Sequence, residues 1–305
     1  MKNLLEEKSC EICGSNDFSV LFSWPREYYP HVKYETCSWD GRQKIPLNIV
    51  TCSCCGLVYT RPSFKEEKLN LVYPEDIIPE DIKSNFVEDK KNISLLKSIT
   101  KYRKKGTLLD IGCRYGAFPW LASKKGFNAY GIEFNSASVE KGRHYFSNIF
   151  EGTPFNLENV LKKNNLRRPD IVVMDDVVEH LVHPKKDLRK IFDAQKIGGI
   201  IVLRQMDYNS LGRRLFGKRW YYFQPAAHQY YFDKEHLVKL LSDVGYETLE
   251  VKRRNVLVNL LFTVLKFIHN SMKRKPKSGT KNRISYLTKR LKSYDDMFTI
   301  VAEKI

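Results

Sequence analysis

The stretch Leu108-Leu109-Asp110-Ile111-Gly112-Cys113-Arg114-Tyr115-Gly116-Ala117-Phe118 limits what this chain can fold into more than any other part of it. An apolar run ends at an acidic residue, passes through a glycine-bearing turn and enters helix-forming residues. That order predicts a strand feeding a helix through a tight loop, with glycines letting the backbone approach a ligand. Gly131-Ile132-Glu133 follows, Glu133 lying 23 residues beyond Asp110. An acid at the end of the next strand is suited to hold two ribose hydroxyls. The spacing Gly112-x-x-x-Gly116 is not the Gly-x-Gly-x-x-Gly dinucleotide fingerprint.

From Thr107 onward, strand-like and helix-like segments alternate, which predicts an α/β fold with a largely parallel sheet covered on both faces. Strands are expected near 107–111, 127–132, 147–151, 170–175, 198–204, 246–251 and 297–303. Helices are expected near 85–102, 117–125, 136–146, 184–196 and 233–244. Three parts result: a cysteine-rich module over 1–62, a connector with a leading helix over 63–105, and the α/β domain over 106–305. The last part carries an insertion at about 254–294.

Six of the seven cysteines lie in the first part. Cys10-Glu11-Ile12-Cys13-Gly14 and Cys52-Ser53-Cys54-Cys55-Gly56 are two Cys-x-x-Cys-Gly knuckles. Each pair can bend around one ion, and four thiolates from Cys10, Cys13, Cys52 and Cys55 suit a closed, tetrahedral, structural Zn²⁺ site. Cys37 and Cys54 are expected to be bystanders and His31 a remote alternative ligand. The N-terminus lacks the apolar core of a secretory signal, so reduced cysteines and a cytoplasmic protein are expected.

A second diagnostic stretch is Asp170-Ile171-Val172-Val173-Met174-Asp175-Asp176-Val177-Val178-Glu179-His180-Leu181, an apolar strand ending at an acidic pair and a turn. Lys196-Ile197-Gly198-Gly199 then turns a helix into a strand, and His228-Gln229-Tyr230-Tyr231-Phe232 precedes the last predicted helix. If 176–180 is helical, Asp176, Glu179 and His180 share one face. That face can present His180 as a general base, with Glu179 orienting or polarising it. The same three side chains with His228 can instead hold a divalent cation, Mg or Mn, that acidifies a hydroxyl. The base is the favoured expectation, because Mg²⁺ prefers oxygen ligands.

In order and spacing these pieces resemble the class I S-adenosylmethionine-dependent methyltransferases. Within that class they are similar to bacterial enzymes of sugars and surface polysaccharides that carry an N-terminal zinc-binding module. The resemblance covers residues 10 to about 251 and resumes at the final strand. It implies a Rossmann-like seven-stranded sheet and S-adenosylmethionine as cofactor. Asp110, Gly112 and Gly116 are then expected around the methionine part, Glu133 on the ribose, and Asp175 among the cofactor contacts. Those enzymes usually carry a third glycine where this chain has Arg114. The turn Asp176-x-x-Glu179-His180 with the distant His228 also looks like the metal site of small-RNA 2′-O-methyltransferases.

The formal net charge is +17. Thirteen Lys and Arg and no acid fall within 252–292, so most of the excess is local and predicts a polyanionic neighbour. Asn255 to Ile268 is apolar but too short to span a bilayer, and Lys273-Arg274-Lys275-Pro276-Lys277 follows. Residues 255–277 are therefore expected either to contact an anionic membrane surface at its inner face or to pack as an apolar hairpin. Trp220-Tyr221-Tyr222-Phe223 and Tyr230-Tyr231-Phe232 offer flat faces to sugars, phenols or lipids, with core packing expected to claim about half of them. The resulting expectation is methylation of a hydroxyl on a sugar, surface glycan or lipid-linked intermediate. RNA methylation is the alternative enzyme reading, and a non-catalytic zinc-binding adaptor is the reading from another class.

Overall fold

A computed structural model describes residues 4–23, 47–71, 81–253 and 296–305. Cys37, His31, Pro74, Pro79 and almost all of the basic and apolar insertion, including 255–277, lie outside the described residues.

Seven strands form the main sheet: β6 (Thr107–Ile111), β7 (Asn128–Glu133), β8 (Ile149–Glu151), β9 (Ile171–Asp175), β10 (Ile200–Met206), β12 (Tyr246–Arg253) and β13 (Met297–Lys304). Their order is β12-β13-β10-β9-β6-β7-β8. Only β13 runs against its neighbours, β10 and β12; the pairs β10–β9, β9–β6, β6–β7 and β7–β8 are parallel. Strands β6, β9 and β10 are almost wholly buried, as their unbroken apolar runs require. Strand order reverses between β6 and β9, and a crevice at such a reversal is where open α/β sheets bind ligands. The predicted α/β, Rossmann-like sheet is the observed one.

Helices α2 (Ala117–Lys124), α3 (Ser136–Arg143), α5 (Pro184–Ala194) and α7 (Lys234–Val244) lie where they were expected. The leading helix α1 spans Lys90–Thr100, shorter than the expected 85–102. Asp89 sets its start, because its side chain accepts the Asn92 amide at 2.7 Å and caps the first turn. Two short helices, α4 (Leu157–Lys163) and α6 (Leu211–Phe216), were not anticipated. They are too brief for a hydrophobic period to stand out.

The cysteine-rich part contributes β1 (Leu5–Glu6), β2 (Phe18–Ser23), β3 (Asn48–Cys52) and β4 (Val58–Arg61). Strand β1 pairs with β5 (Ser63–Phe64), just beyond the module boundary at 62. The other sheet runs β11-β4-β3-β2, and its β11 (Tyr230–Tyr231) comes from the α/β domain. Cys10, Ile12, Cys52, Leu57 and Tyr59 share one core with Tyr230, Phe232, Leu237 and the main sheet.

Candidate active site

At the end of β6 the loop is stitched to the end of β7. Gly112 and Cys113 donate their amides to the Ile132 carbonyl at 2.9 and 3.2 Å. Gly112 has φ +71, and a Cβ there would stand 2.6 Å from Val177 Cγ2, so the loop and the turn after β9 touch only because this residue is glycine. Gly116 has φ +84 and Ile149 fills the space of its missing side chain. Arg114 adopts φ +51. A left-handed backbone usual for glycine is thus held by Arg114, at the modest strain an L residue pays there.

Glu133 is buried and accepts the Arg114 amide at 2.9 Å on one oxygen and the Asn135 amide at 3.0 Å on the other. Burial raises its proton affinity against the pull of those amides. Asp110 is also buried, and burial, then the charges of Asp175 and Glu133, push it well above the ordinary carboxylate range. Asp175 forms a bidentate pair with Arg204 and lies 3.2 Å from Lys91 Nζ. Burial raises Asp175, but Arg204 and Lys91 outweigh it and hold the carboxyl below its usual value. Lys91 comes from α1, so the leading helix closes over the ends of β9 and β10.

Val178–His180 forms a single 3₁₀ turn rather than an α-helical one. Asp176 precedes it in a left-handed conformation, φ +57, and its carboxylate turns to Lys91 Nζ at 3.2 Å. The expected face of Asp176, Glu179 and His180 therefore does not form, because the chain reverses at Asp176. Glu179, His180 and His228 do come together, with a ligand atom from each lying within 4.8 Å of the others. The two imidazoles meet edge to face, centroids 4.8 Å apart.

His180 Nδ1 lies 2.9 Å from the Ala227 carbonyl, and His228 Nδ1 lies 2.8 Å from that of Tyr222. A carbonyl can only accept, so each Nδ1 carries the proton and each Nε2 keeps a lone pair. Burial lowers His180 to about 4, against the Ala227 carbonyl. Burial and then His180 lower His228 well below its ordinary value. Both shifts favour the neutral rings. The Ala227 carbonyl holds the His180 ring at Nδ1, and Glu179 stands within 4.8 Å of the histidine pair. The Glu179 carboxylate is buried, with Oε2 accepting no hydrogen bond among the described residues, and burial and then Asp176 raise it well above its ordinary value.

Of the seven aromatics, Trp220, Phe223, Tyr230, Tyr231 and Phe232 are core residues, leaving Tyr221 and Tyr222 partly exposed, with the Tyr222 carbonyl against His228. Cys113 packs against Gly131, where a Cβ would stand 2.4 Å from its sulfur. Arg204, Lys91 and Thr60 bear on the site and were missed. Arg204 had a readable signal, a charge inside an apolar strand.

At the far side of the module, Cys10 Sγ lies 3.4 Å from Cys55 Sγ, Cys13 Sγ lies 3.5 Å from Cys52 Sγ, and all four lie within 4.8 Å of one another. Gly14 and Gly56, at φ +74 and +80, return their amides to the Cys10 and Cys52 carbonyls and close both knuckles. Tetrahedral zinc with Zn–S bonds of about 2.3 Å needs sulfurs about 3.8 Å apart, so the four thiols fit such an ion. Cys54 is exposed.

A sheet with one antiparallel strand, a glycine loop at its switch point and an acid closing the next strand define a methyltransferase of the Rossmann-like class. A family model described as "Methyltransferase domain" matches residues 87–251, more than half of the chain, and the chain belongs to that family. It is an S-adenosylmethionine-dependent methyltransferase. The rat tRNA N(3)-cytidine methyltransferase METTL6 is 24% identical over 220 residues, covering 61% of this chain and 72% of the relative. Its mouse counterpart is 26% identical over 210 residues, covering 61% and 73%. An S-adenosylmethionine-dependent methyltransferase from Archaeoglobus fulgidus is 20% identical, covers 70% of this chain and 93% of its own, and has a TM-score of 0.47. One from Thermotoga maritima, titled a possible histamine N-methyltransferase, is 17% identical, covers 70% and 89%, and has a TM-score of 0.45. No described helix is long and apolar enough to cross a membrane.

Proposed function

We propose that the chain transfers a methyl group from S-adenosylmethionine to a hydroxyl of a sugar, surface glycan or lipid-linked intermediate. The observation that carries this reading is the cluster of Glu179, His180 and His228, in which burial favours neutral imidazoles and backbone carbonyls fix each ring at Nδ1. An alcohol is a poor nucleophile until its proton leaves, so a hydroxyl acceptor needs such a group. S-adenosylmethionine, when bound, would supply the electrophilic methyl group, and His180 Nε2 would take the acceptor hydroxyl's proton, with Glu179 beside that ring. Asp110, Gly112, Gly116, Glu133 and Asp175 are the proposed cofactor contacts, with Glu133 on the ribose.

The same three side chains offer a second means of activation. Glu179, His180 and His228 would hold a divalent cation, Mg or Mn, which would lower the acceptor's pKa. Chelation separates the two: activity lost with a chelator and restored by Mn²⁺ or Mg²⁺ makes His180 and His228 ligands, and activity that survives leaves His180 as base.

Zn²⁺ on Cys10, Cys13, Cys52 and Cys55 is proposed as structural, because four protein ligands leave no position for a substrate. Elemental analysis should find about one zinc per chain, and Cys10→Ser should unfold the module. Protein prepared without chelator and lacking zinc contradicts this.

RNA is the second reading, favoured by the similarity to METTL6, whose name gives tRNA cytidine N3 as its target. Cytosine N3 already carries a lone pair at neutral pH, however, and needs no base to create one. A cytoplasmic protein meeting an anionic membrane surface through 255–277 remains part of the hydroxyl reading, since lipid-linked acceptors lie there. Transfer of labelled methyl into glycan or lipid extracts, and not into RNA, tests the whole proposal.

A further inference from the structure

We infer that Thr60, in the cysteine module, is a positioning residue for His228 and Glu179, so that the module forms the fixed wall against which the acceptor-side cluster is built. Thr60 is fully buried on β4. Its hydroxyl donates to the His228 carbonyl at 2.9 Å, and its amide donates to the Gln229 carbonyl at 2.9 Å. The His228 carbonyl belongs to the same peptide plane as the Gln229 amide, and that amide donates to the Glu179 carbonyl at 2.7 Å. One rigid plane is therefore held on one edge by Thr60 and on the other by the residue whose carboxylate faces His228.

The clamp continues on both sides. His228 donates its amide to the Gln224 carbonyl at 2.7 Å. Lys8, from the module, places Nζ 3.5 Å from Gln229 Oε1 and 4.1 Å from the Tyr230 ring centre. Strand β11 pairs with β4 directly after this plane, Tyr230 opposite Tyr59 and Tyr231 opposite Val58. His236 Nε2 lies 2.9 Å from the Cys55 carbonyl and links α7 to the second cysteine knuckle. A tilt of the 228–229 plane moves the His228 ring and the Glu179 backbone together, and Thr60 is the side chain that resists it.

The consequence for chemistry rests on the proposed role of the Glu179–His180–His228 cluster, but the clamp is tested apart from it. Thr60→Val keeps the shape and removes the hydroxyl donor; Thr60→Ser restores the donor. Amide hydrogen exchange in the full chain should be about tenfold faster at Gln229 in Thr60→Val, the equivalent of one lost buried hydrogen bond. Exchange at Gly112 and Cys113, and the affinity for S-adenosylmethionine, should stay unchanged. With ¹⁵N-labelled histidine, the Nδ1–H signature of His228, assigned through His228→Gln, should broaden in Thr60→Val and return in Thr60→Ser. Should Thr60→Val not fold, Thr60→Ala removes the same donor with less bulk and carries the same test. Unchanged exchange at Gln229, a uniform rise across the whole sheet, or no rescue by serine overturns the inference. Failure of the clamp leaves any effect of His180→Ala intact, and failure of the His180 reading leaves the exchange result intact.

Discussion

The two sides of the crevice are built in opposite ways. The proposed cofactor side is almost continuous in sequence: β6, its loop and the end of β7 are bound by local hydrogen bonds from Gly112, Cys113 and Arg114. The proposed acceptor side is assembled from three distant segments, with Thr60, Glu179–His180 and Tyr222–His228 meeting across the fold. Their electrostatics differ as well. Burial and neighbouring acids raise Asp110 on the first side, whereas burial lowers the two histidines on the second. A binding surface shared by many enzymes can be a local motif, while a specificity surface is free to recruit residues from anywhere in the fold.

If the two sides are separate devices, substitutions should separate binding from turnover. The largest effect is expected from His180→Ala, which should slow methyl transfer by about 10²–10⁴-fold, the usual contribution of a general base. Its affinity for S-adenosylmethionine, read by calorimetry, should stay within about twofold of the parent protein, because such a residue acts in the transition state. Equal losses in affinity and rate would break the comparison.

Glu133→Ala should do the reverse. Two hydrogen bonds to a charged group are lost from the loop, and the proposed ribose contact goes with them, so cofactor affinity should fall by about 10–100-fold. Turnover at saturating cofactor should fall much less. A Glu133 variant that binds normally would remove the ribose assignment.

A third substitution sharpens the boundary between the sides, where Arg204 and Lys91 hold Asp175. Arg204→Met should destabilise the fold by about 2–3 kcal/mol, below the 3–5 typical of a broken buried pair because Asp175 is partly exposed. Asp175 has a lowered pKa in the folded protein, so its contribution is present above the unfolded value of about 3.9 and is lost as pH falls through the folded value. The gap between parent and variant should therefore be widest near neutrality and close in acid. Denaturant titrations at several pH values check this, and a gap independent of pH would mean that Arg204 acts by packing alone.

This division also explains which parts were readable in advance. The loop after β6 was legible because Gly112, Gly116 and Glu133 shape their own stretch of backbone, and even Arg114 keeps the glycine-like conformation. The main strands were legible because burial on both faces writes an apolar run. The turn at Asp176 was not, since i, i+3, i+4 spacing means nothing where a left-handed residue breaks the helix. Lys91 meets Asp176 across 85 positions and Thr60 meets His228 across 168, and nothing local in either sequence announces the contact. The aromatics misled in part, because a core and a sugar-binding surface use the same residues.

Labelled S-adenosylmethionine, incubated with the parent protein or His180→Ala and with cell extract, gives the most direct test of the acceptor assignment. Glycan, lipid and RNA fractions would be separated and the methylated products identified by mass spectrometry. The account predicts a methyl ether in the glycan or lipid-linked fraction, reduced at least about 10²-fold by His180→Ala. Label appearing in RNA as an N-methylated base, undiminished by that substitution, would contradict it.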